Sequence, residues 1–128
     1  MSYFFEQILS TDEQIKILYE LLKTRKYVIS HRSLPSFKKH RDFVKSHPYL
    51  HWFLLRDESN YLGSFYLKND NSIALNLTEY SKENLEACLD FISDNFSPKE
   101  SVPSMVPNYF YVNISYSNED ALSALQGL

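Results

Sequence analysis

Histidines are the residues of this sequence best suited to acid–base chemistry, because an imidazole titrates between about pH 5 and 8. The four are His31, His40, His47 and His51. No two share a predicted helix at the spacing that binds zinc, so we predict no metal site. His40 lies on the apolar face of a predicted helix, where it could take a proton from a substrate. The alternative, which we weigh above it, is a packed or capping histidine, and we interpret His31 and His51 as structural.

Asn118 and the single cysteine, Cys88, are two further polar candidates. Asn118 stands between a predicted strand and a predicted helix, where a helix cap and a contact to a cofactor are interpretations of similar weight. Cys88 falls on the apolar stripe of a predicted helix and is predicted to be a core residue. One cysteine excludes an internal disulfide and a multi-cysteine metal site, and it fits a reducing compartment. Together with an amino terminus unlike a signal peptide, this leads us to expect a cytoplasmic protein.

Helical periodicity predicts the elements that must position these side chains. A first helix follows a capping signal made by Ser10 and Glu13. A second helix starts after Pro35 and is stopped by Pro48. A third has Ser81 as its cap, and its apolar stripe contains Leu85, Cys88, Leu89, Ile92 and Phe96.

Strand-like runs fill the space between these helices. Two runs around the polar turn Asp57–Asn60, in "HWFLLRDESNYLGSFYL", predict an antiparallel hairpin. The stretch "NDNSIALNL" predicts a turn and a strand, and "NYFYVNISY" predicts another strand after a proline-containing loop. A short strand is predicted at Tyr3–Leu9. The expected order is therefore α-α-β-β-β-α-β-α after that first strand, within a single domain over residues 1–128.

The composition limits the class of protein. The chain has 128 residues, of which 44% are hydrophobic, and it carries a formal net charge of −3. No apolar run approaches the roughly 20 residues of a membrane-spanning helix, so we expect no membrane association. Eight basic residues and one acid lie between Lys23 and Lys45. We interpret this cluster as a solvated face or a surface for an anionic substrate, and a nucleic-acid partner is not expected.

The order of elements and several local stretches resemble the GCN5-related N-acetyltransferase family. The stretch "HWFLLRDESNYLGSFYL" is similar to the family's second and third strands, with Gly63 where the third strand starts "IG". The stretch "SIALNL" is similar to the fourth strand. Asn118 and Ala121, in "FYVNISYSNEDALSAL", match the family's N-x-x-A. The region "SFKKHRDFVKSHPYLHWFLL" has a weaker likeness to members that acetylate amino sugars.

This resemblance implies an α/β, acyl-CoA N-acyltransferase fold with a mixed, mostly antiparallel sheet flanked by helices. It implies acetyl-CoA as a substrate and N-acetyl transfer to a small amine, such as an amino sugar. Glu79, after the fourth strand, and His40 would be the catalytic bases, with a solvated loop acid as the alternative for Glu79. The implied cofactor contacts are Ile73, Ala74, Leu75, Asn76, Leu77, Ser81, Lys82 and Asn118.

Three departures from the family pattern favour a second hypothesis. The loop "TEYSKEN" contains no glycine where the family's pyrophosphate loop has them, and it places Glu79 and Glu83 near only Lys82. Leu125 stands where the family has a tyrosine that protonates the thiolate. The family's last two strands are not expected in a chain that ends at Leu128, which predicts an open sheet edge. We expect this edge to form a homodimer or to bind a partner that completes the sheet. The alternative function is therefore a non-catalytic binding or oligomerisation module with the same fold.

Overall fold

The computed structural model describes residues 2–23, 34–98 and 109–112. In chain order the elements are β1 (Phe4–Gln7), α1 (Asp12–Lys23), α2 (Phe37–Lys45), β2 (His51–Arg56), β3 (Tyr61–Leu67), β4 (Ser72–Leu77), α3 (Lys82–Asn95) and β5 (Tyr111–Val112). This order confirms the predicted succession of elements as far as β5. The predicted last helix, with Asn118, Ala121 and Leu125, lies outside the described residues.

The five described strands form one mixed sheet in the order β1-β2-β3-β4-β5. The pairs β1–β2, β2–β3 and β3–β4 are antiparallel, as expected for strands joined by short turns. The pair β4–β5 is parallel, because α3 carries the chain back to the starting end of the sheet before β5 begins. The predicted α/β class with a mixed, mostly antiparallel sheet flanked by helices is confirmed for this part of the chain.

Alternation along the strands divides the core between the two faces of the sheet. On one face the sheet residues pack against α3, in a cluster that includes Phe53, Phe65, Leu75, Leu85, Cys88 and Ile92. On the other face they pack against α1 and α2, in a cluster of Ile8, Ile15, Leu18, Val44, Trp52 and Leu54. Cys88 is fully buried, which confirms its predicted place in the core.

The helix caps confirm one prediction and correct another. Ser81 caps α3, because its Oγ accepts a hydrogen bond from the Asn84 amide at 3.1 Å. The predicted cap of α1 at Ser10 is wrong by one residue, since Thr11 Oγ1 accepts from the Gln14 amide at 3.2 Å. Ser10 has a φ of 59° and donates its hydroxyl to the Val44 carbonyl, so this side chain joins α1 to α2 instead.

Candidate functional site

A cavity of about 200 Å³ lies between the first two helices and the sheet. Its lining comes from α1, α2, the three central strands and the segments before β2 and after β4. The residues are Leu18, Leu21, Leu22, His40, Phe43, Tyr49, Trp52, Ser64, Tyr66, Asn76, Leu77 and Thr78. The sheet contributes Trp52, Ser64, Tyr66 and Asn76 because alternate residues of neighbouring strands point to the same face.

Aromatic rings make one wall of this cavity. Tyr49 and Tyr66 stack with ring centroids 3.6 Å apart and an interplanar angle of 9°. Trp52 stands edge-to-face against Tyr49 at 5.1 Å, and Phe43 stands edge-to-face against Trp52 at 6.4 Å. Such a wall presents π faces and ring edges in fixed positions, and these suit an apolar ring or a cationic amine.

His40 contributes the titratable group of the lining. Its Nε2 lies 3.0 Å from the Ile15 carbonyl oxygen, which can only accept a hydrogen bond, so Nε2 carries the proton. In the neutral ring Nδ1 is therefore the proton acceptor. Burial lowers the pKa of His40 below its ordinary value of 6.5, and the bond to Ile15 opposes this only in part. His40 is thus neutral at pH 7, the state that a general base requires.

Polar groups lie at the sheet side of the cavity. Ser64 and Asn76 are register partners on β3 and β4, so their side chains emerge next to each other on the cavity face. Thr78 is already engaged, because its hydroxyl donates to the Leu62 carbonyl at 3.1 Å. Trp52 Nε1 is buried without a hydrogen-bond partner among the described residues. The centroid of the Trp52 ring lies 5.0 Å from that of His47 and 5.1 Å from that of Tyr49.

The backbone of β4 has one edge on β3 and the other directed toward β5. Lys68 donates its amide to the Ser72 carbonyl, and Thr78 donates its amide to the Leu62 carbonyl. The even-numbered residues of β4 therefore bond to β3, and the amides and carbonyls of the odd-numbered residues, Ile73, Leu75 and Leu77, point the other way. Among the described residues, β5 pairs only with Ser72 and Ile73, at the start of that edge.

The Tyr80 hydroxyl occupies the second half of this edge. It donates to the Leu75 carbonyl oxygen at 3.0 Å and accepts from the Leu77 amide at 3.3 Å. These two backbone groups belong to residues predicted to contact the cofactor. The role of Tyr80 was not predicted from the sequence. The signal that the sequence offers is a tyrosine three residues after the end of a strand whose next partner strand lies far along the chain.

The two predicted catalytic residues lie in different places in the structure. His40 lines the cavity, whereas Glu79 is exposed in the segment after β4 and is not part of the lining. The Glu79 carbonyl accepts a hydrogen bond from Asn84 Nδ2 at 3.1 Å, which fixes the backbone at the start of α3. Of the two histidines interpreted as structural, His51 stacks on Phe96 with ring centroids 4.2 Å apart, and His31 lies outside the described residues.

The predicted cofactor contacts also separate into groups. Asn76 and Leu77 reach the cavity. Leu77 also belongs, with Ile73 and Leu75, to the buried cluster against α3. Ala74 is half-buried on the cavity side of β4. Lys82 is exposed at the first residue of α3, and Ser81 is used to cap that helix. Asn118 lies outside the described residues.

Comparison of the chain with models of protein families, with curated proteins and with solved structures gives no match. Within residues 2–23, 34–98 and 109–112, no helix has the length and apolar character needed to cross a membrane. The same residues contain no group of three or more His, Cys, Asp or Glu side chains placed to hold a metal ion.

Proposed function

We propose that this protein is an acetyl-CoA-dependent N-acetyltransferase acting on a small amine, such as an amino sugar. The observation that carries the proposal is the aromatic cavity that reaches β4 and has a neutral histidine in its wall. A small amine fits a volume of about 200 Å³. The family resemblance supplies the link to acetyl-CoA, and the mixed sheet with its parallel β4–β5 pair is compatible with that link.

In this proposal the cavity binds and orients the amine. The faces of Tyr66 and Tyr49 attract the ammonium form, and Ser64 and Asn76 offer hydrogen bonds to hydroxyl groups on the rest of the molecule. His40 Nδ1 takes the proton from the ammonium, and the free amine then attacks the thioester carbonyl. The nitrogen loses its second proton to solvent, the carbon–sulfur bond breaks, and the coenzyme A thiolate leaves and takes a proton from solvent.

The extended arm of coenzyme A would pair with the edge of β4 that faces β5. A chain with amide groups can add to such an edge as a further strand does, by backbone hydrogen bonds. Contacts from Ser81, Lys82 and Asn118 to the nucleotide end remain predictions from the resemblance. Glu79 is a second proposed base, and its exposure means that it would act through water.

The experiment that tests this function measures acetyl transfer and binding on the same protein. We expect acetyl-CoA to bind in isothermal titration and acetyl transfer to one or more amines of a panel to exceed the uncatalysed rate. His40→Gln should lower kcat/KM by about 100-fold, the contribution typical of a general base. His51→Gln is the matched control, since His51 stacks on Phe96 away from the cavity lining, and it should keep the activity.

A His40→Gln variant that folds and retains full activity would exclude His40 as the base. The absence of acetyl-CoA binding at millimolar concentration, together with no transfer to any amine, would exclude the enzyme and leave the second candidate. That candidate is a non-catalytic binding module with the same fold, favoured by the Tyr80 hydroxyl on the β4 edge and by the loop without glycine. It predicts binding of amines in the aromatic cavity without any acetyl transfer.

A further inference from the structure

On the edge of β4 beyond Ile73, the backbone amide of Leu77 already donates its single hydrogen in a hydrogen bond. That hydrogen points to the Tyr80 hydroxyl oxygen, with 3.3 Å between the two heavy atoms. The Leu75 carbonyl, which receives the Tyr80 hydroxyl proton at 3.0 Å, has a second lone pair. A ligand that adds to this edge therefore competes with Tyr80 mainly for the Leu77 amide.

Tyr80 is held in this position by packing as well as by its hydroxyl. The residue is only 9% exposed and belongs to the same buried cluster as Leu85 and Cys88 of α3. Only two residues separate Tyr80 from Leu77, the last residue of β4, so the Tyr80 side chain turns back onto β4. Both bonds are buried, where a lost partner costs more than it does in water.

We propose that Tyr80 controls the affinity of the β4 edge for an amide-bearing chain, with its hydroxyl standing where such a ligand would form its backbone hydrogen bonds. The inference rests on the proposed function in one respect, because the pantetheine arm of coenzyme A is the ligand it names. Binding then requires that the hydroxyl leave the Leu77 amide. The hydrogen bond from the Leu77 amide to Tyr80 is exchanged for a bond to the ligand, and the measured affinity is lower by the cost of that exchange.

Removal of the hydroxyl should therefore strengthen binding. In Tyr80→Phe the ring keeps its place in the core, and the Leu77 amide and Leu75 carbonyl are left for the ligand. We expect a Kd for coenzyme A roughly fivefold lower than in the unaltered chain, the effect of about one hydrogen bond. Pantetheine, which lacks the nucleotide, should show the same ratio because the phosphates play no part in it.

Tyr61→Phe is the matched control. Its hydroxyl donates to Glu6 Oε1 at 3.3 Å, so this variant also loses one tyrosine hydroxyl bond but leaves the β4 edge unchanged. Titrations with coenzyme A and with pantetheine are made on the unaltered chain and on both variants. Amide hydrogen exchange at Leu77 is measured on each protein without ligand, and it should be faster only in Tyr80→Phe.

The outcomes separate this inference from the proposed function. Tighter binding by Tyr80→Phe than by the unaltered chain and Tyr61→Phe supports the inference. If Tyr80→Phe binds coenzyme A and the unaltered chain does not, the inference is supported. The unaltered chain is then not an acetyl-CoA-dependent enzyme. Equal or weaker binding by Tyr80→Phe overturns the inference and leaves the function intact, and no binding by any protein overturns both. If Tyr80→Phe shows no cooperative unfolding transition and is therefore not folded, Tyr80→Leu replaces it in the titrations and in the hydrogen-exchange measurement.

Discussion

Cys88 shows how one buried side chain acquires its chemical character from the packing around it. Its side chain is fully buried on α3, and burial raises the pKa of the thiol to about 12. Because the thiolate is the reactive form, we expect no reaction with an aromatic disulfide reagent at pH 8 while the protein is folded, and complete reaction in denaturant. The control is Cys88→Ala combined with Ser93→Cys, which places a thiol on the exposed face of the same helix. Reaction of the unaltered folded chain as fast as this control would contradict the prediction.

Residue-level predictions succeeded where the local sequence decides the environment. Cys88 and Ser81 were predicted correctly, because a helical stripe and a cap depend on neighbours within four residues. The cap of α1 was wrong by one residue, since both Ser10 and Thr11 are good caps and the choice depends on a bond from Ser10 to α2. The role of Tyr80 could not be predicted, because it depends on which backbone groups of β4 are left unpaired by β3.

Gly63 fixes the contact between two strands, β3 and β4. Its φ is 151°, which L side chains rarely adopt, and a Cβ there would overlap the Asn76 carbonyl oxygen and lie 2.7 Å from Leu77 Cα. We expect Gly63→Ala to lower the free energy of unfolding by about 2 to 3 kcal/mol, through strain and overpacking. Urea unfolding measures this as a lower midpoint with an unchanged slope. Glu58→Ala, in the exposed turn of the same hairpin, should change stability by less than about 0.5 kcal/mol.

Element-level predictions were accurate for the central part of the chain. The strands around Asp57–Asn60 and the strand "SIALNL" were predicted because alternation and turn residues are short-range signals. The cavity was not predicted as a geometric object. It forms where α1 and α2 leave a gap over the sheet, and this depends on side-chain volumes from five elements that are distant in sequence.

At the scale of the whole molecule, the two clusters on opposite faces share the same sheet. Leu54 and Leu55 are adjacent in β2 and both are fully buried, one facing α1 and α2 and the other facing α3. Loss of either cluster therefore exposes the sheet that the other requires, and we infer that the described elements unfold together.

The stability of the whole fold should also depend on pH, because burial changes the protonation of three histidines. Burial lowers the pKa of His40, His47 and His51 below 6.5. The unfolded chain therefore binds protons before the folded chain does, so the free energy of unfolding should fall as the pH is lowered from 7.5 through 6.5 to 5. Asp57 does not contribute in this window, because hydrogen bonds from the Asn60 and Ser59 amides lower the pKa of its carboxyl below 3.8.

Urea unfolding at pH 5.0, 6.0, 6.8 and 7.5 measures this dependence. Every protein carries His31→Gln, so that the histidine titration comes from His40, His47 and His51. Adding His40→Gln should flatten the dependence, since the histidine in contact with the Ile15 carbonyl is only 4% exposed. Adding His51→Gln should flatten it as well, because His51 is also held neutral by burial. Stability that is constant or rises toward pH 5 would mean that the folded state accepts these protons without cost, and that the neutral His40 required for proton transfer at pH 7 is not maintained by the fold.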